Sequence, residues 1–223
     1  PVKIDIAGTE ESISKITAEL LYKCYDTFYN LNNMVLSVAG NITAEQVLKI
    51  CDELLIPCQD KGLETVFPEE PDEIIQPEIR EAQPIGAQLF YYGFKCRDCS
   101  GEERLRKTLA ASTAASLITD DASEMYQDLL KKHIINTTFD AEVFCGDGFF
   151  TVIFMCESDY PEEVRSTVLA EIERWKTEGI DEKAFQRIKK STYGSLIREL
   201  NNVDAVANLI LSSHMDGVSP YDA

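Results

Sequence analysis

Cysteine and histidine have the widest catalytic and metal-binding range of the side chains here, and their spacing decides which chemistry is open to the chain. Cys96 and Cys99 form a Cys-x-x-Cys pair. Zinc would need a second ligand pair at similar spacing, and redox chemistry would need the motif at a helix N-terminus near a βαβ unit. Neither context is visible. Cys96 ends a β-rich run and Cys99 lies in a polar turn before Ser100, so two ordinary thiols are expected, with disulfide exchange as the sharper alternative. His133 and His214 are the only histidines, and neither has a second His four residues away to build a two-ligand helix face. Both read as structural, His133 as a cation near a helix end, where the dipole favours one. Two isolated imidazoles can scarcely hold a conventional catalytic zinc.

Nucleophile and phosphate signals are equally thin. No Gly-x-Ser-x-Gly occurs, the "YGSL" of Tyr193 to Leu196 lies within a helical pattern, and "GDGFF" reads as a hairpin turn rather than a phosphate loop. With 39 Asp and Glu, chance carboxylate pairs are inevitable and none can be named as an acid/base pair. The Tyr91-Tyr92 pair could line a peptide groove or simply pack, and packing is the expectation. By these residues the chain supplies no catalytic residue and no metal ligand, and its binding residues are unknown.

The bulk composition narrows the classes further. A length of 223 residues allows one large domain or two small ones, and 44% hydrophobic content is ample for a packed core. The formal net charge of -18 repels phosphate backbones and anionic lipid surfaces, so nucleic-acid and membrane partners are not expected. No apolar run approaches the roughly 18 residues of a spanning helix. Pro1 opens the chain without a basic and apolar leader or a methionine, which suggests a piece of a longer protein. Seven cysteines without repeated spacing suit a reducing, cytoplasmic compartment.

The elements that must position these residues follow from local signals. Thr9 with Glu10 and Glu11, and Thr17 with Glu19, open helices, the second running from Ala18 to Tyr29 with one apolar face. Met34 to Ala39 is an apolar run closed by Gly40 and reads as a strand, and Thr43-x-x-Gln46 is a capping box for the next helix. Pro57 to Pro84 holds five of the eight prolines, and Asp60 to Glu81 carries eight acids against Lys61 and Arg80, an extended linker by composition. Beyond it come a strand from Gln88 to Cys96, a helix from Glu102 to Ile118 with a small-residue centre (Ala110 to Ser116), and a helix from Ser123 to Lys132. Thr137 to Cys145 and Phe149 to Cys156 form a hairpin around "GDG". Apolar residues on both faces of Phe149 to Cys156 place it centrally in a sheet covered by helices. Pro161 starts a helix that stops at Gly179, Asp181 caps another, and a last one spans Val203 to Met215. The fold class is α+β: a mainly antiparallel sheet with helices packed on it.

The stretch from Gly8 to Val47 also resembles a known family. Gly8-Thr9 with Ile13, Phe28-Tyr29, Asn33-Met34 and Val38-Ala39-Gly40 follow the order found in pitrilysin/insulinase-type zinc metallopeptidases, which include the mitochondrial processing peptidase. Within that family the wording is most like bacterial members associated with elongation factor P modification. The linker, the strand from Gln88 to Phe94, the small-residue helix and "MYQDLL" (Met125 to Leu130) continue the order over nearly the whole chain.

The resemblance implies half-clamshell metallopeptidase domains of the LuxS/processing-peptidase type. Residues 1-58 would be the C-terminal part of a first peptidase-like domain, 59-85 an acidic Pro-rich linker, and 86-223 a second, non-catalytic domain truncated at its C-terminus. It also implies where the missing chemistry lies. Family members carry His-x-x-Glu-His, two His on zinc and a Glu as general base, and no such motif occurs here. Zinc would then belong to the parent protein, with ligands outside this chain. An Arg and a Tyr six residues apart, which hold substrate in family members, would fall where Leu130 and Asn136 stand. The implied function is that of a non-catalytic fragment of a zinc endopeptidase subunit that forms half of a chamber around peptides. Its implied partners are a peptide, for which the acidic surface would favour basic sequences, and a second family subunit or a copy of itself in a dimer. The alternatives are an inactive partner subunit with an assembly or regulatory role, and a thiol-active protein through Cys96 and Cys99.

Overall fold

The structure is a computed structural model that describes residues 4–67 and 71–221. Packing divides the chain into two compact units, Pro1–Pro68 with Leu200–Met215, and Glu69–Glu199 with Asp216–Ala223.

In the first unit, hydroxyl caps set the helix starts, because the opening N–H groups of a helix have no partner within it. Thr9 caps α1 (Glu10–Ser14) and Thr17 caps α2 (Ala18–Phe28), where the Leu20 N–H donates to Thr17 Oγ1 at 3.2 Å. Thr43 and Gln46 close a reciprocal capping box on α3 (Ala44–Leu54), with bonds of 3.3 and 2.9 Å. A single 3-10 turn, Leu31–Asn33, follows α2. The expected strand from Met34 to Ala39 is absent. A strand needs a hydrogen-bonded neighbour, and the described residues of this unit contain no other extended run that pairs with it. Ser37 instead donates its hydroxyl to the Ala207 carbonyl at 2.8 Å, on α8 (Val203–Met215). Asn30, 6% exposed, ties the chain beyond α3 to the end of α2: its amide donates to the Gln59 carbonyl at 3.0 Å and its Oδ1 accepts from Cys58 Sγ at 3.3 Å. The Lys61 ammonium bonds to the Asp26 carbonyl beside it. No helix or strand forms among the described residues between Leu54 and Leu89.

The second unit carries the sheet. Three antiparallel strands, β1 (Leu89–Cys96), β2 (Asp140–Gly146) and β3 (Phe149–Glu157), lie in the order β1-β3-β2. Asp147 and Gly148, the latter at φ 88°, make the two-residue turn that joins β2 to β3. β3 is central, as its two apolar faces predict. The helices α4 (Gly101–Ile118), α5 (Glu124–Lys131), α6 (Pro161–Glu178) and α7 (Glu182–Glu199) complete the unit. Phe150, Phe154 and Cys156 of β3 are buried with Ile118, Leu129, Val164 and Val168 in the core, and Phe90, Phe94 and Ala141 pack against it. All of these strand residues lie on one face, since β3 residues of even number pair with even residues of β1 and odd residues of β2. The helices therefore cover one face of the sheet rather than both. The opposite face leaves Leu89, Tyr91 and Phe144 exposed.

The small-residue centre of α4 lets α7 and β2 approach its backbone, and Thr108 Oγ1 lies 3.7 Å from Cys145 Sγ. Burial of a side chain such as Phe154 contributes about 2–3 kcal/mol, and removing its ring would cost about 3–5 kcal/mol.

Candidate functional site

Cys96 is the last residue of β1 and Cys99 precedes Ser100, the N-cap of α4. Both are free thiols. The pair stands ahead of the helix instead of at its first turn, and its backbone is held by an ionic cluster. Asp98 accepts from the Cys99 N–H at 2.7 Å and from the Gly148 N–H at 2.8 Å. Arg104, whose side chain is 13% exposed, donates through Nε to the Cys99 carbonyl at 2.6 Å and through Nη2 to both Asp147 at 2.7 Å and Asp98 at 3.5 Å. Asp216 lies 4.0 Å from the same guanidinium. Bonding to Asp147 raises the Arg104 pKa above its ordinary value despite partial burial. Asp98 and Arg104 thus pin the loop after β1 to the β2-β3 turn. The only sequence signal for this cluster is an Arg in the first turn of a helix behind a Cys-Arg-Asp-Cys loop, a pattern that names no chemistry by itself.

His133 follows α5 with φ 56°. Its N–H donates to the Leu130 carbonyl, and the Ile134 N–H to the Leu129 carbonyl, both at 3.0 Å, which is the paired closure of a helix C-terminus. His214 lies in the last turn of α8, in the other unit. Among the described residues no three His, Cys, Asp or Glu side chains gather in a group that could hold a metal ion. The described side chains therefore do not fit a zinc site. Leu130 packs against the core, while Asn136 accepts from the Thr138 N–H at 2.8 Å and hydroxyl at 2.6 Å and donates to Glu157 at 3.3 Å. Both positions serve the fold. The tyrosine pair divides: Tyr92 sits edge-on to Phe94 with the Arg165 guanidinium 5.4 Å above its ring, and Tyr91 is 65% exposed on the uncovered face. No described helix is long and apolar enough to cross a membrane.

Residues 15–192 match a family model described as the peptidase M16 inactive domain. The chain belongs to the M16 peptidase family. Across 93% of its length this M16 chain is 28% identical to a Bacillus subtilis protein named as the uncharacterized zinc protease YmfH, of which it covers 50%. All of it superposes on 54% of a crystal structure described as an M16-like peptidase from Alicyclobacillus acidocaldarius, with a TM-score of 0.88 and 26% identity. A Helicobacter pylori protease shares the fold, with a TM-score of 0.78 and 16% identity over 95% of this chain and 52% of its own. The M16 chain thus spans about half the length of the relatives it matches. The α+β fold with a small antiparallel sheet is the M16 domain fold, as the resemblance implied.

Proposed function

We propose that this M16 chain is the non-catalytic part of a zinc-dependent endopeptidase subunit, and that it forms half of a chamber enclosing peptides. The observation that supports it best is the match of residues 15–192 to the M16 inactive domain in a chain with no His-x-x-Glu-His. In this reading residues 1-58 are the tail of a first peptidase-like domain, 59-85 connect, and 86-223 belong to the second domain, α8 being the part of it that clusters with the first unit. Zinc would be held by residues of the parent outside this chain and would supply Lewis-acid chemistry there. The partner would be a second M16 subunit or another copy, and seven free thiols suit the cytoplasm.

Elemental analysis of the full-length parent tests the reading, with one zinc per chain expected. Purified alone, residues 1–223 should retain no stoichiometric zinc and cleave no peptide, and chelator-sensitive cleavage by this chain would overturn it. A zinc-free parent would favour the second reading, an inactive partner subunit. Leu130 and Asn136, in place of a substrate-gripping Arg and Tyr, are compatible with that as well. Thiol activity at Cys96 and Cys99 is the third reading, which a depressed thiol pKa on titration would support and two ordinary values would end.

A further inference from the structure

From the outer side of α7, we infer that a second copy of this chain docks there and lays its own acidic linker along the helix. The inference rests on the partner reading above, in which the partner is another copy, and gives that partner a surface. α7 is strongly basic within an acidic chain, with Lys183, Arg187, Lys189, Lys190 and Arg198 against Glu182 and Glu199. Its inner side, where Phe185, Ile188 and Leu196 are partly buried, packs on α4. Lys183, Gln186, Lys190, Tyr193 and Ile197 recur at steps of three and four, so they form one stripe on the opposite side, and all five are exposed. Arg187 pairs with Asp120 and Arg198 bonds to Ser195, whereas among the described residues no acceptor meets the ammonium of Lys183, Lys189 or Lys190. Gly194 adjoins the stripe beside Tyr193, and a Cβ built there would meet nothing within 4 Å. A mid-helix glycine weakens its helix, and here it leaves room for a partner's backbone to come close.

The linker complements this stripe in both charge and apolar content. Asp72, Glu73, Glu78 and Glu81 bracket Ile74, Ile75 and Ile79, and the three isoleucines are at least 64% exposed in a segment without helix or strand. Asp72 to Ile79, extended, covers about 22 Å. Lys183 to Ile197 covers about 21 Å along the helix, so the two segments match in length. The chain's own linker cannot be the occupant. Lys95, on the uncovered face of the sheet, bonds to the Pro71 carbonyl, and Arg97 pairs with Asp72 at 3.2 Å, which holds the linker on the side of the sheet away from the helices. A second copy brings the same acids and isoleucines, and the exchange is reciprocal about a two-fold axis, each α7 taking the other's linker.

The test is sedimentation velocity of the whole 223-residue chain over a range of concentrations. A dimer is expected, with a dissociation constant that rises with salt. Lys183→Glu with Lys190→Glu should raise that constant at least about tenfold, and so should Glu73→Lys with Glu78→Lys. All four positions are exposed, so thermal melts should hold. Mixed together, the two reversed chains should pair again, because each contact of the mixed dimer then joins opposite charges. Gly194→Leu should hold or raise the melt, since leucine is the better helix former, while weakening the dimer about tenfold. A monomer at every concentration would overturn the inference, as would a dimer that either pair of reversals leaves unchanged, or weakened chains that mixing does not restore. Binding of a labelled single-stranded RNA by a monomeric chain, lost on reversal of the two lysines, would overturn it by making phosphate the occupant. A dimer indifferent to every variant would keep the second-copy partner and remove only this surface, and none of these results bears on the zinc content of the parent.

Discussion

His133 shows how a residue with catalytic potential can be employed for its backbone. The left-handed conformation costs a residue with a Cβ about 1 kcal/mol relative to glycine, and here it lets two N–H groups close α5 while Ile134 enters the core. His133→Gly should therefore raise the stability of the chain by about 0.5–1 kcal/mol, and His133→Val should lower it by at least as much. Urea denaturation of the three proteins decides the matter. A glycine variant less stable than the parent would mean that the imidazole makes a contribution the backbone does not explain. From the sequence, His133 reads as a cation for the helix dipole, since nothing in "KKHII" announces a left-handed residue. The usual signal at that position is Gly or Asn, and neither is there.

Elements were legible wherever a local rule decides them. Thr9, Thr17, Thr43 and Ser123 cap the helices they announce, Pro161 opens α6, and Gly179, at φ 83°, ends it. Met34 to Ala39 failed because no local rule decides whether an extended apolar run finds a neighbouring strand. The uncovered face of the sheet failed for a related reason: apolar residues on both sides of β3 tell that both faces avoid water, not what covers each. Inside α6 a charge network can be tested directly. Glu171 Oε1 accepts from Arg174 at 2.6 Å and from the Trp175 indole at 2.8 Å, and chiefly the bond from Arg174 holds its carboxyl below the usual range. A carboxyl with a depressed folded pKa stabilises the fold above its unfolded value, about 4.3, and that contribution fades as pH falls through the folded value. Glu171→Gln keeps an acceptor for Trp175 and removes the charge. It should cost about 0.5 kcal/mol at pH 7, the scale of a half-exposed pair, and nothing once both proteins are below the folded pKa. Trp175 is the only tryptophan, so its fluorescence in urea titrations at several pH values reports the gap, and a gap independent of pH would rule out the charge as its cause.

At the scale of the whole molecule the two units differ in how they keep apolar surface from water. Every buried apolar side chain among the described residues, from Ala115 to Val168, belongs to the second unit, and the buried residues of the first, Asn30 and Ser213, are both polar. Leu54 and Ile56 of the first unit are 72% and 84% exposed, and α2 and α3 bury no residue at all. Because burial of apolar area is the main favourable contribution to folding, local stability should follow that division. Amide hydrogen exchange on the intact chain should find β3 and α6 the slowest and α2 and α3 at least about a hundredfold faster, close to 2.7 kcal/mol in opening free energy. The capping boxes at Thr9 and Thr43 do not reverse this, since a cap contributes about 1 kcal/mol and acts only on its own helix. Protection of α2 and α3 that grows with protein concentration would show a second copy covering their apolar side chains. Protection equal to that of β3 at every concentration would mean that the first unit closes on a core of its own, and the contrast drawn from burial would be wrong.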